Sequence, residues 1–274
     1  MVVAPVGEEE RGVIELRRRD GGDVLRIGHR GAAHIAPENT IDSLRAAVAH
    51  GVDLVEFDVL DLRRGPLVLA HSDHLEEVSH GRATGSVREQ TLAELREVAP
   101  DLTTLDEALA FFAEEAPTVG LHVDLKLQRR LDELADALRR FGVEGRTVVS
   151  SFHVPSLHAI ARAAPQVRIG FTYPEDRFGV SRRRLLQPVV GAGLTAARAV
   201  TARRLPGMIR RAHASALMLQ HRLVTSGAVA RAHAAGAPVL AWTVDTQDDL
   251  DRVLAAGVDG VITNDPRLFG PLDP

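Results

Sequence analysis

Four short runs carry acids, bases and cations at spacings that suit one reaction centre. His29 and Arg30 follow the apolar run VLRIG, Glu56 and Asp58 stand two apart in DLVEFDV, His71 follows LVLA, and Asp124 and Lys126 stand two apart in VDLK. Residues i and i+2 of an extended chain point to one face, so Glu56 and Asp58 form a carboxylate pair. Two such charges repel and raise one pKa unless a cation holds them. With Asp124 they make a hard oxygen set suited to one divalent cation, Mg²⁺ or Ca²⁺. A salt-bridge cluster with nearby arginines is the plainer reading of the same acids. His29 and His71 could share general acid and general base work near neutral pH. Arg30 and Lys126 suit an anionic group, the first as a fork and the second as a point charge.

One compositional fact bears on Lys126. Of the 33 basic residues it is the only lysine, and the rest are arginine. Either one lysine survives by chance, or this position needs a compact ammonium that a planar guanidinium cannot replace. Three carboxylates, a divalent ion, Arg30 and Lys126 leave one net positive charge, which matches a phosphodiester monoanion. Trp242, the only tryptophan, offers a flat apolar wall for a substrate pocket or an ordinary core side chain. Of the other histidines, only His34 and His153 fall near strand ends.

The elements that must position these groups alternate along the chain. Apolar runs at 24–28, 53–59, 118–125, 147–152, 167–173, 215–219, 238–244 and 258–263 read as strands, with 67–70 as a further extended segment. Helical spacing recurs at 37–50, 104–115, 128–141, 154–164, 225–235 and 246–256. Residues 72–103 are polar, with a small helix near 91–97, and read as an excursion after strand two. Residues 177–213 carry RRR, Gly191, Gly193 and Pro206, and predict a broken helical region. Eight strand–helix units predict a single (β/α)8 TIM barrel over 24–274, preceded by an N-terminal extension at 1–23. A doubly wound open sheet is the runner-up, but no GxGxxG follows the first strand. In a barrel the chemistry belongs at the C-terminal ends of the strands, where all the singled-out residues fall.

Composition narrows the function. The chain has 274 residues, a net charge of −4 and no cysteine. That excludes disulfide scaffolds, thiolate metal sites and cysteine nucleophiles, and gives no overall electrostatic footprint for nucleic acid. No apolar run reaches the ~18 residues of a membrane span, so stable membrane insertion is not expected. The first residues lack a secretory pattern, and the expected location is the cytoplasm.

The run IGHRGAAHIAPENTIDSLRAAVAHGVDLVEFDV, followed by LVLAH, VDLK, AWTVDT and GVDGVITNDP, resembles the glycerophosphodiester phosphodiesterase family from about Val24 to Pro266. The resemblance implies a metal-dependent barrel that hydrolyses glycerophosphodiesters to an alcohol and glycerol 3-phosphate. It implies His29 and His71 as the acid–base pair, Glu56, Asp58 and Asp124 as metal ligands, and Arg30 and Lys126 on the phosphate. It also implies attack by the glycerol 2-hydroxyl through a cyclic phosphate, where the residues alone leave water open as nucleophile. Three positions depart from the family pattern: Asp124 stands for a glutamate, Ser72 for the aspartate of a His-Asp pair, and Asp245 for the asparagine of WTVN. Other readings are a lysophospholipase D acting on lysolipids, a phosphodiester-binding protein without activity, and a Schiff-base aldolase using Lys126. The last prefers a carboxylate-poor pocket, which three converging acids do not make.

Overall fold

The computed structural model describes residues 14–17, 22–174 and 190–270. Its strands are β1 (Leu25–Gly28), β2 (Leu54–Asp61), β3 (Leu67–Leu69), β4 (Gly120–Leu125), β5 (Thr147–Ser151), β6 (Arg168–Tyr173), β7 (Ala216–Gln220), β8 (Val239–Trp242) and β9 (Gly260–Thr263). All except β3 pair in parallel, and β1 bonds both β2 and β9, so eight strands close into a barrel. That closure excludes the open doubly wound sheet. The extended segment at 67–70 becomes β3, which pairs antiparallel with the end of β2, Val59 opposite Leu69.

The helices are α1 (Ile41–Ala49), α2 (Leu75–Val78), α3 (Leu92–Val98), α4 (Leu105–Glu114), α5 (Leu131–Arg140), α6 (Val154–Ala163), α7 (Val190–Ala212), α8 (Ser226–Ala234) and α9 (Gln247–Ala255). Thr40, Thr91, Thr104, Thr225 and Thr246 cap α1, α3, α4, α8 and α9 by accepting a bond from a backbone N–H in the first turn. Each cap fixes where a helix leaves the loop above the barrel, and so fixes the loop.

Side chains fill the structure in two layers. Ile27, Leu54, Val148, Met218, Leu240 and Ile262 pack inside the barrel, joined by Leu16 and Ile14 from the stretch read as an extension. Ile14 N–H also bonds Gly145 O. A larger cluster lies between the strands and the surrounding helices. The excursion has a small core of its own, in which Leu75, Val87, Leu95 and Leu102 pack on Leu60, Leu62 and Val68.

One expectation needs correction. Residues 190–212 form a single helix of 23 residues that runs through Pro206, and not a broken region. Thr201, Leu205, Ile209 and Ala212 are all buried at helical spacing. That stripe holds the helix despite the backbone hydrogen bond lost at proline. The rest of the predicted broken region, 177–189, lies outside the described residues. No helix among the described residues is long and apolar enough to cross a membrane.

Candidate active site

The first histidine is placed by a tight backbone turn at the end of β1. A side chain at Gly28 would run into the Gly31 carbonyl, and one at Gly31 (φ +86°) would run into Ser43. Arg30 takes a left-handed φ of 51°, and its N–H bonds Glu56 Oε2 at 2.8 Å. Without bulk at 28 and 31 the chain folds onto α1 and holds His29 and Arg30 over the strand ends.

His29 Nδ1 lies 2.7 Å from Asn264 Oδ1. Asn264 Nδ2 donates to Asp245 Oδ2 at 2.7 Å, and its backbone N–H donates to Asp245 Oδ1 at 2.9 Å. The amide is therefore oriented with its oxygen toward the ring. An amide oxygen can only accept, so His29 carries its proton on Nδ1 and keeps the Nε2 lone pair free. Nε2 is 3.9 Å from Glu56 Oε2. Burial first, and Arg30 second, pull the His29 pKa down to about 3, so the ring is neutral at physiological pH. Asp245, one of the departures from the family pattern, is thus the anchor of this chain.

The three carboxylates lie on two neighbouring strands. Glu56 and Asp58 sit on one face of β2, and Asp124 pairs in register with Asp58 on β4. Burial, then the charges of Asp58 and Asp124, push the Glu56 pKa well above the ordinary carboxylate value against the pull of Arg30. At Asp58 burial pushes the same way, but Lys126 and Arg30 overrule it and hold the group far below its usual range. Asn39 Nδ2 donates to Asp58 Oδ2 at 3.0 Å, and Asn39 Oδ1 accepts from the Asp58 N–H at 3.1 Å.

Asp124 is held by hydroxyls of the next two strands. Ser150 Oγ donates to Asp124 Oδ1 at 2.5 Å and Thr172 Oγ1 at 3.3 Å. Since Ser150 donates there, it accepts from His122 Nε2, 2.9 Å away. Burial keeps His122 neutral, with a pKa of about 4. These bonds fix the shorter carboxylate where the family has glutamate.

The cations face the acids. Lys126 Nζ is 3.1 Å from Asp58 Oδ1 and 2.5 Å from Asp124 Oδ2. These carboxylates raise its pKa against the cost of burial. A lysine held protonated cannot attack a carbonyl, which counts against the aldolase reading. Arg30 Nη1 donates to both Glu38 oxygens at 2.9 Å. Its Nε is 3.2 Å from Asp58 Oδ2, an ionic contact without hydrogen-bond alignment. Among the described residues no three acids or histidines converge closely enough to form a finished metal site, and Lys126 stands between two of the three carboxylates.

His71 follows β3, and its Nδ1 lies 3.3 Å from Glu77 Oε2 on α2. Ser72 Oγ donates to the same oxygen at 2.8 Å. Asp73 is engaged elsewhere, accepting from Ser86 Oγ and from the Arg88 N–H. His153 bonds Ser156 at the start of α6, and only the backbone N–H of His34 reaches Asn264. Trp242, partly buried, packs against the inner cluster, and its Nε1 is buried without a partner among the described residues. A cleft lies beside His71, lined by Glu38, Asn39, Glu77, Arg82, Asp101 and Leu102 among others. Sequence reasoning missed Asn264, Glu77, Asn39, Ser150 and Glu38. Of these Asn264, Asn39 and Glu38 lie in quoted motifs, and neither motif names its partner.

Comparison with known proteins finds relatives along most of the chain. The pattern of the glycerophosphoryl diester phosphodiesterase family matches residues 29–268. A glycerophosphodiester phosphodiesterase of Caldanaerobacter subterraneus is 27% identical over 259 residues, covering 89% of this chain and 96% of the relative. A relative from Mycobacterium tuberculosis is 30% identical over 274 residues, covering 89% and 90%. A crystal structure from Silicibacter pomeroyi superposes with a TM-score of 0.74 at 27% identity, covering 92% of this chain and 93% of that one. A phosphodiesterase of Oleispira antarctica, solved with the product sn-glycerol-3-phosphate, shares the fold with a TM-score of 0.67 at 22% identity, covering 89% and 94%.

Proposed function

Because the chain belongs to the glycerophosphoryl diester phosphodiesterase family, we propose that it hydrolyses glycerophosphodiesters to an alcohol and glycerol 3-phosphate, with His29 as general base and His71 as general acid. The observation that carries the assignment is the Asp245–Asn264–His29 chain. It leaves His29 neutral with a free Nε2 lone pair, which is the form a base needs.

In the first step the glycerol 2-hydroxyl attacks phosphorus and His29 Nε2 takes its proton. Glu56, near Nε2, offsets the charge that develops on the ring. The bond from phosphorus to the leaving alcohol breaks, and His71 gives that oxygen its proton. A cyclic phosphate results. In the second step water opens it, the two histidines exchange roles, and glycerol 3-phosphate leaves. Arg30 and Lys126 lie at the strand ends where the phosphate would sit, and each supplies positive charge for the anionic substrate. Trp242 forms an apolar side of the pocket.

The carboxylates fit a hard divalent cation, Mg²⁺ or Ca²⁺, by donor type and by charge. The raised pKa of Glu56 between Asp58 and Asp124 is what carboxylates show when their own cations are too few. Glu56, Asp58 and Asp124 would hold the ion once Lys126 yields its place. When bound, it supplies positive charge for the phosphoryl oxygens.

Product analysis tests the reading. Glycerophosphocholine and a lysolipid are each incubated with Mg²⁺, Ca²⁺ or a chelator. Glycerol 3-phosphate from the first substrate, lost on chelation, is the expected result. Hydrolysis of the lysolipid alone would favour the lysophospholipase D reading, and turnover unaffected by chelation would remove the metal.

A further inference from the structure

We propose that Glu77, carried by the excursion, is a positioning residue for His71: it fixes the ring and its Nδ1 proton, and makes the excursion part of the catalytic apparatus. The inference rests on reading His71 as the acid.

Hydrogen-bond accounting around the ring supports it. The family's His-Asp pair is His71-Ser72 here, so the neighbouring carboxylate is missing from the chain. The next acid, Asp73, is committed to Ser86 and Arg88. Ser72 Oγ donates to Glu77 Oε2 at 2.8 Å and accepts from the His74 N–H at 3.2 Å. Its single proton is therefore used, and it pins the carboxylate. Glu77 Oε2 then accepts from His71 Nδ1 at 3.3 Å. A carboxylate can only accept, so the Nδ1 proton is fixed and Nε2 is the nitrogen left for substrate.

The excursion itself fixes the position of Glu77. Leu75, at the start of α2, is 5% exposed and packs in the small core of that segment. The Leu75 N–H bonds Gly85 O, and the Val87 N–H bonds Asp73 O. These bonds hold α2 against the turn that carries His71. Two parts of the chain that the barrel does not join are thereby brought together at one imidazole.

The test uses leaving groups. A general acid matters for an alkoxide and hardly at all for p-nitrophenolate, which departs without a proton. Wild type, Glu77→Gln, Ser72→Ala and His71→Ala are assayed on glycerophosphocholine and on glycerol p-nitrophenyl phosphate. Glu77→Gln should lower kcat on the first substrate about 10- to 100-fold, less than the ~10²–10⁴-fold from losing the acid itself. KM should hardly change. Ser72→Ala should show a smaller loss of the same kind. On the nitrophenyl ester a single turnover, read by p-nitrophenolate release, reports the first step alone, where His71 acts only as acid; there both variants should approach wild type, as should His71→Ala. Equal loss on both substrates would reduce Glu77 to a structural role and overturn the proposal, as would wild-type turnover on glycerophosphocholine. If His71→Ala itself loses equally on both esters, the reading of His71 as acid fails and the proposal fails with it. If His71→Ala is rescued and Glu77→Gln is not, the proposal alone falls.

Discussion

Replacing Lys126 with methionine removes the charge and keeps most of the volume. The Nζ contacts at 3.1 Å and 2.5 Å each correspond to about 5–7 kcal/mol of attraction at an effective dielectric near 20. Desolvation of the ions offsets most of this. Deleting one partner of a buried ionic group costs about 3–5 kcal/mol, because charges are left unpaired. The Lys126 side chain is 19% exposed, so the low end, about 3 kcal/mol, applies. For a chain of this size that is a fall in Tm of roughly 6–12 °C at pH 7. The pH dependence has a definite sign. Without the ammonium, Glu56 and Asp58 repel, and their folded-state pKa values lie above the unfolded ones. The folded variant then binds more protons than the unfolded chain, so its stability falls as pH rises through those values. The deficit against wild type should therefore shrink on going from pH 7 toward pH 4. A divalent cation at about 100 times its Kd returns about 2.7 kcal/mol, and should raise the Tm of the variant more than that of wild type, where Lys126 competes. Scanning calorimetry at pH 4, 5.5 and 7, with Ca²⁺, Mg²⁺ or chelator, reads all three effects. A variant as stable as wild type at pH 7, or a deficit that neither pH nor cation changes, would refute the reasoning.

Four further outcomes follow from the same geometry. His29 should stay a neutral, Nδ1-protonated ring down to pH 5, since burial and Arg30 bring its pKa to about 3, and long-range ¹H–¹⁵N NMR would contradict this by finding a cationic ring there. The sign for stability is that this buried neutral ring costs the fold progressively more as pH falls below about 6.5, the ordinary histidine value. Asp245→Ala should lower kcat by freeing the Asn264 amide to rotate, while Asp245→Asn, which can still accept one bond, should lose less; equal rates for both variants and wild type would detach the chain from catalysis. Gly31→Ala should destabilise the fold on the order of 3 kcal/mol, because alanine adds both a clash with Ser43 and a strained φ, and a urea midpoint equal to wild type would show that the turn tolerates a side chain. Lys126→Arg should weaken cation binding, because a guanidinium would pair with Asp124 in the ion's place; a cation titration curve identical to wild type would make the lone lysine an accident of composition.

The acids and histidines were legible because a barrel sends every strand end to one rim. Once the apolar runs are recognised, Glu56, Asp58, Asp124 and Lys126 must share that rim, whatever lies between them. Their supporting partners were not legible. His29 and Asn264 are 235 positions apart and meet only because β9 closes on β1. Ser150 reaches Asp124 through the register of β4 with β5, which periodicity does not encode. Asp73 follows Ser72 in the sequence, but the turn directs it to Ser86 and Arg88 and brings Glu77 back from α2. The helix at 190–212 was misjudged because Pro206 and two glycines outweighed the buried stripe of Thr201, Leu205, Ile209 and Ala212. Tertiary packing overrode local propensity there.

The proposed mechanism divides the proton transfers between His29 and His71. It is tested most directly by following ³¹P signals of a glycerophosphodiester with wild type, His29→Ala and His71→Ala, each checked for native circular dichroism. Glycerol 3-phosphate should accumulate with wild type, and each folded variant should be slower by ~10²–10⁴-fold. A folded His29→Ala or His71→Ala variant that turns over at the wild-type rate would contradict the account.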